Sequence, residues 1–252
     1  MASLLRYINP APSIGGLEVS DLALRYLILE DGKPKQASVQ LPPGVIVDGK
    51  ITDREKLIAS LGSLHRQIAK PKKIIHAVLI MPASVVYTQF FSMPQVAEKN
   101  LKETAQLNLK MISPIDPSQA YFDYQLIGEA KGGQVEALGA FISNKDVDDF
   151  LVVLRESNFD AIAVEFTGLS LMRLIKEYSA DLRADVPYLV MHLAADGPDI
   201  LIVKSGHLYF SYFHSWAAIQ NEIGGRKLEA GSVLEFMMNQ AKQVLNFYTS
   251  KW

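Results

Sequence analysis

Short apolar-rich runs and longer helical stripes alternate along this chain. Residues 14–19, 22–30 and 36–41 are apolar-rich and read as three strands. Asp31-Gly32-Lys33-Pro34 is a turn by composition, and Pro42-Pro43-Gly44 ends the meander. The period then lengthens. Leu57, Leu61, Leu64 and Ile68 recur at helical spacing, and Thr52 with Glu55 matches a capping box, in which each side chain satisfies the other's backbone donor. A helix therefore begins at Thr52, and Pro71 stops it. The near-continuous apolar run 74–80 predicts a strand covered on both faces.

A second block predicts a strand over 85–91 and a helix over 98–112 carrying Leu101, Ala105, Leu109 and Ile112 on one stripe. Pro114 and Pro117 break that helix. Runs 120–127 and 135–142 read as a strand pair around Gly132-Gly133, followed by a helix over 146–157, a strand over 161–166 and a helix over 169–178. The third block predicts strands over 188–193, 199–204 and 207–213, with a Ser205-Gly206 turn, and a long helix over 232–248. Its strand, turn, strand, glycine turn, strand order repeats that of the first block. A duplicated meander with helices implies an α/β protein with two RNase H-like halves. The second half is expected to be incomplete, because no further strand follows Tyr248.

Composition narrows the functions open to this fold. At 252 residues the chain is long enough for two lobes. Its 25 basic and 27 acidic residues leave a net charge of −2, which gives no field suited to nucleic acid. Lys70, Lys72 and Lys73 around Pro71 read as a solvated helix end. With no cysteine, thiolate metal sites, cysteine nucleophiles and disulfides are excluded. No apolar run reaches the ~20 residues that a spanning helix needs, and the first residues lack a secretory apolar core. The five histidines show no metal-ligand spacing, and neither a GxSxG elbow nor a Walker lysine occurs.

Four segments carry a family resemblance. They are IGGLEVSDLALRYLIL, LPPGVIVDGKITD, LKETAQLNLKMISPIDPSQAYFDYQLIG and FDAIAVEFTGLSLMRLI, in that order. Together they resemble the PilM branch of the actin-like superfamily, which also holds FtsA, MreB and the sugar kinases. The resemblance implies a first lobe over 1–84, a strand-helix-strand insert subdomain over 85–166, and a connecting helix with a partial second lobe over 167–252. It also implies a cytoplasmic scaffold of the type IV pilus machine, held on the inner face of the plasma membrane through partners. The expected partner is the cytoplasmic tail of a PilN-like protein, with PilO and the motor ATPase reached indirectly. Self-association is open. A direct membrane span and nucleic acid are not expected. The alternatives are an active actin-like ATPase and a GspL-like adaptor of a type II secretion system.

In this family the first phosphate loop reads Asp-x-Gly, whose backbone amides and carboxylate serve phosphates and hydrated Mg2+. The matching positions here are Glu18, Ser20 and Asp21. Ser20 adds a Cβ where backbone must approach closely, and Asp21 adds charge where phosphates would sit. At the second loop His192 stands where the carboxylate is expected. Glu165 matches the glutamate that orients water in the active ATPases, although a helix-capping carboxylate is the plainer role. The family's adenine-binding glycines are expected beyond Trp252. ATP with Mg2+ is therefore disfavoured, and no enzyme activity is expected. Extended tails bind by edge hydrogen bonds and side-chain pockets. Tyr87, Phe91, Tyr121 and Tyr124, in aromatic-rich strands, are the candidate contacts, set against ordinary alternation between core and solvent.

Overall fold

A computed structural model describes residues 13–130, 132–178, 183, 185–225 and 227–251. Two compact units divide the chain. One holds the stretch through Pro82 together with Lys145–Phe166, and the other holds Ala83–Asn144 and the stretch from Thr167 on.

The first unit begins with the meander β1 (Ile14–Val19), β2 (Ala23–Glu30) and β3 (Lys33–Gln40). Asp31 and Gly32 both have positive φ, 51° and 74°, so these two residues alone make the β2–β3 turn. Lys33 and Pro34, expected in the turn, pair with Glu30 and Leu29 instead. A small hairpin follows, β4 (Ile46–Val47) and β5 (Lys50–Ile51), turning on Asp48 and Gly49. Helix α1 (Arg54–Ile68) then packs Leu57, Leu61 and Leu64 into the core. Its cap is Asp53 rather than Thr52. The Asp53 carboxylate accepts from the Lys56 amide at 3.1 Å, whereas the Thr52 hydroxyl turns back and donates to the Gly44 carbonyl at 2.7 Å.

Strand β6 (Ile75–Met81) joins β1 in parallel, with Ile14 opposite His76 and Glu18 opposite Ile80. Its residues alternate between buried and half-buried, so one face is left partly open rather than covered as expected. Helix α3 (Asn144–Glu156) buries Val147, Phe150 and Leu154 and leads into β10 (Phe159–Phe166), which pairs parallel to β6. The sheet order is β10-β6-β1-β2-β3. This long-range pairing places residues 145–166 with the first unit, although they were expected with the insert. Leu17, Leu24, Leu64 and Leu79 lie at the centre of the core. At Gly15 a Cβ would stand 2.4 Å from the Tyr26 ring, so only glycine lets that buried ring cross β1.

In the second unit β7 (Val86–Pro94), β8 (Ala120–Ala130) and β9 (Gln134–Ser143) form a sheet in the order β7-β9-β8. Helix α2 (Glu98–Ile112) covers one face, and Phe91, Met93, Ala105, Leu109, Ala137 and Phe141 interlock there. Helix α4 (Thr167–Tyr178) precedes the second meander, β11 (Tyr188–Leu193), β12 (Pro198–Lys204) and β13 (His207–Phe213). The other face of the insert sheet meets β13. Thr88 donates its hydroxyl to the Ser211 carbonyl at 3.2 Å, and Tyr209 donates to the Ile127 carbonyl at 2.8 Å. Helix α5 (Trp216–Glu222), absent from the sequence expectation, is capped by Ser215, whose hydroxyl accepts from the Ala218 amide at 3.1 Å. Helix α6 (Ala230–Lys251) closes the described chain, with Met237, Val244 and Tyr248 buried. The β8–β9 turn has Gly132 and Gly133 at positive φ.

Candidate functional site

Strand register decides which candidate residues share a surface. Arg25, Glu18, Ile80 and Glu165 stand opposite one another on β2, β1, β6 and β10. Opposed residues on neighbouring strands point to the same face, so Glu18 and Glu165 share one side of the first sheet. Two strand spacings separate them, roughly 10 Å. A shallow groove of about 770 Å3 lies over this row, lined among others by Gly16, Glu18, Arg25, Leu27, Gln36 and Ile80. Arg25 donates to the Glu18 carboxylate at 3.0 Å, neutralising it in place.

The β1–β2 turn is closed on itself. The Ser20 amide donates to the Ala23 carbonyl at 3.0 Å. The Ser20 hydroxyl donates to that carbonyl at 3.1 Å and accepts from the Ala23 amide at 3.2 Å. Ser20 is 3% exposed, so it sits inside the turn rather than lining an opening. Both Asp21 carboxylate oxygens are engaged by the β4–β5 turn. They accept from the Asp48 amide at 2.8 Å and the Gly49 amide at 2.9 Å. The positive-φ Asp-Gly pair aims two successive N–H groups outward, and the carboxylate fills that concavity. An anion cradle is thus present at this end of the sheet, and the chain's own Asp21 occupies it. Its partners lie 27 and 28 residues away in sequence, so no local pattern announces it.

His192 lies on β11 directly opposite Asp199 on β12, with Nδ1 at 3.1 Å from the carboxylate. Asp199 is 2% exposed, so the pair is a buried-side contact of the hairpin. The β11–β12 turn is pinned from α5. Trp216 donates its indole N–H to the Ala194 carbonyl at 3.1 Å and its amide to the Asp196 carbonyl at 2.9 Å. A Cβ on Gly197 would lie 2.1 Å from the His214 carbonyl oxygen, so the backbones touch there. The end of β13 is tied similarly: His214 lies 2.7 Å from the Tyr212 hydroxyl and 2.7 Å from the Glu222 carboxylate. Burial, then the charge of Glu222, holds the Tyr212 hydroxyl above its ordinary pKa.

The four aromatic candidates divide. Tyr87, Phe91 and Tyr124 are opposite Phe141, Ala137 and Gly139 of β9, on the face that α2 covers. Tyr121 is opposite Ile142 and points to the other face. Phe91 is 6% exposed within the core, and Tyr124 packs against the same cluster. Tyr87 and Tyr121 are half exposed, at 51% and 50%. Among the described residues no cluster of three or more metal-ligating side chains occurs, and no helix is long and apolar enough to cross a membrane.

No family model matches the sequence, and no curated protein matches it. The architecture defines the class: a mixed α/β protein of the actin-like fold. Within that class the fold is of the PilM type. The chain is similar to a chain of a PilM-PilN type IV pilus biogenesis complex at 16% identity and a TM-score of 0.71, covering 96% of this chain and 76% of that one. It is also similar to the cytoplasmic domain of EpsL, an inner membrane component of the type II secretion system of Vibrio cholerae, at 14% identity and a TM-score of 0.52. That match covers 84% of this chain and 75% of the other.

Proposed function

We infer that this protein is a cytoplasmic, actin-like scaffold of a type IV pilus assembly machine. It binds the cytoplasmic tail of a PilN-like inner-membrane protein and so links that protein, with PilO beyond it, to the motor ATPase. The observation that carries the reading is the likeness over 96% of the chain to a PilM-PilN complex chain. Location on the inner face of the membrane follows from the partner.

The same reading takes the scaffold to work without nucleotide. Three features support this. Arg25 already pairs with Glu18, the cradle amides of Asp48 and Gly49 already hold Asp21, and Ser20 is folded into its own turn. A magnesium-bound triphosphate at this end of the sheet would have to displace Asp21 and would gain no glycine-lined approach in exchange. Glu165 is then a residue of the sheet face rather than a water-orienting group. His192 is a partner of Asp199 rather than a phosphate contact.

The tail is placed along β7, an edge strand of the insert sheet, with Tyr87 as its exposed aromatic anchor. Phe91 and Tyr124 support that strand from the core. Isothermal titration of the purified chain with a PilN-type cytoplasmic tail peptide tests the assignment. Binding should be lost or weakened about tenfold in Tyr87→Ala, an anchor's share of about 1.4 kcal/mol, with unchanged thermal unfolding. Equal affinity in both proteins removes the β7 placement, and no binding to either removes the pilus reading. Mg2+-dependent micromolar ATP binding would revive the ATPase alternative. The EpsL likeness keeps one further alternative, a type II secretion adaptor, which predicts preference for a secretion motor over a pilus motor.

A further inference from the structure

We propose that the turn Lys70-Pro71-Lys72-Lys73, with Ile74 next to it, is a contact site for an anionic lipid bilayer. Helix α1 ends at Ile68 with Ala69 as its cap, so the three lysines stand outside the helix. The Lys73 amide donates to the Lys70 carbonyl at 3.2 Å, which closes a four-residue turn. Pro71 is its second residue, and Lys72, its third, has a φ of 64°. That left-handed position ordinarily takes glycine or asparagine, and here a lysine holds it. The turn is anchored from the core. His65 is 5% exposed and donates its Nε2–H to the Lys73 carbonyl at 2.7 Å, while its ring meets Phe159 edge-on at 5.8 Å. The Ile75 amide donates to the Asn158 carbonyl at 3.0 Å, tying the start of β6 to the residue before β10.

A fixed backbone thus presents uncompensated charge beside an apolar side chain. Lys70, Lys72, Lys73 and Ile74 are all exposed, Ile74 at 55%. Among the described residues none of the three ammonium groups pairs with a carboxylate. No acidic residue occurs between Glu55 and Glu98, a stretch that carries Lys56, Arg66 and these three lysines. Asp160, opposite His76 on the neighbouring strand, is already held by His76 Nδ1 at 2.9 Å. Nucleic acid would need a wider basic field than a chain of net charge −2 supplies. An acidic protein segment would meet the charges and leave Ile74 in water. At an anionic bilayer the lysines meet phosphodiesters, and Ile74 reaches the boundary with the acyl chains. Lysines are hydrated point charges, suited to a diffuse headgroup layer rather than to forked pairing with a single phosphate. Three of them are fewer than a self-sufficient polybasic anchor carries. The contact is therefore a second signal, which adds to tail binding by raising the effective concentration at the membrane.

The bilayer as source rests on the inner-face placement proposed above, but the test runs without the tail. The purified chain is sedimented at low ionic strength with phosphatidylcholine vesicles and with vesicles of equal parts phosphatidylglycerol and phosphatidylcholine. It should pellet with the anionic vesicles only, and rising salt should release it. The triple variant Lys70→Gln/Lys72→Gln/Lys73→Gln should lower the partition coefficient at least about tenfold. Ile74→Ser should lower it severalfold, and thermal unfolding and tail-peptide affinity should stay unchanged in both. Binding to both vesicle types alike, to neither, or undiminished in the triple variant overturns the proposal. It is also overturned if a soluble polyglutamate peptide binds the turn while anionic vesicles do not, since an acidic protein segment is then the partner. A chain that binds the tail peptide and ignores the vesicles loses only this contact. One that binds anionic vesicles through the lysines and ignores the tail loses only the pilus reading.

Discussion

The two meanders begin alike and finish differently. The first is extended by two parallel strands into a five-stranded sheet, and the second stays three-stranded within the described residues. Their first turns differ as well. The β1–β2 turn is held by side chains: a serine within the turn and an aspartate reaching a distant hairpin. The β11–β12 turn is held by backbone packed on backbone at Gly197 and by Trp216. The same local topology is thus fixed by replaceable side-chain contacts in one unit, and in the other by a backbone close approach at Gly197 together with hydrogen bonds from Trp216. The contrast predicts how each unit breaks.

The largest effect is expected at Gly197. Added carbon would meet the His214 carbonyl oxygen at 2.1 Å, and a backbone atom cannot rotate away. Gly197→Ala should cost at least about 3 kcal/mol, the upper end for overpacking, read by urea unfolding of the second unit through Trp216 fluorescence in a Trp252→Phe background. Gly15→Ala is next. Its obstacle is the Tyr26 ring at 2.4 Å, a side chain that can be trimmed. The single change should cost about 2 kcal/mol, and adding Tyr26→Val should recover part of that loss. No side-chain change should rescue Gly197→Ala. Rescue there, or a milder penalty than at Gly15, would erase the distinction between the turns.

A middle-sized effect belongs to Asp21. Asp21→Ala leaves two amides of the β4–β5 turn without their acceptor, while Asp21→Asn keeps one carbonyl oxygen. Hydrogen bonds to a charged acceptor contribute about 1.5–3 kcal/mol. Because part of this contact faces solvent, about 1–2 kcal/mol is expected for alanine, and less for asparagine. Differential scanning calorimetry measures both. Unchanged stability alongside altered nucleotide affinity would return Asp21 to a phosphate-loop role.

What the sequence made legible follows from the range of the interactions. Periodicity located the α2 helix at Glu98–Ile112 and the strands Tyr188–Leu193 and His207–Phe213 to the residue, because burial of their stripes is local in pattern. Capping was misplaced by one residue. Thr52 and Asp53 both suit an N-cap, and only the loop at Gly44 decides which hydroxyl or carboxylate is drawn away. The short helix α5 had a readable signal in Ser215, but it is only seven residues long and carries little periodicity. The attachment of residues 145–166 to the first unit rests on β10 pairing with β6, which no local window contains. Site chemistry was hardest to see. Glu18 lies on β1 and Ser20 and Asp21 in the β1–β2 turn, but their partners are set by register and by a hairpin far along the chain.

The smallest predicted effect concerns pH and sharpens the comparison between the units. On β13, burial first and then the charge of Lys176 hold His207 below its ordinary value of 6.5. The folded chain therefore binds a proton at His207 less readily than the unfolded chain does. The stabilising share is complete above 6.5 and is lost as pH falls from there through the depressed folded value. In the first unit Asp53 is also held low, by hydrogen bonds from the Lys56 side chain and amide, so its share disappears only deeper into acid, below the ordinary carboxylate value of 3.8. His207→Gln should remove part of the loss between neutral pH and the histidine range in the Trp216-reported transition. Asp53→Asn should leave that range alone and flatten the acid limb instead. If His207→Gln leaves the slope of stability against pH unchanged near 6, desolvation at β13 is too weak to matter, and the two units part company only in their turns.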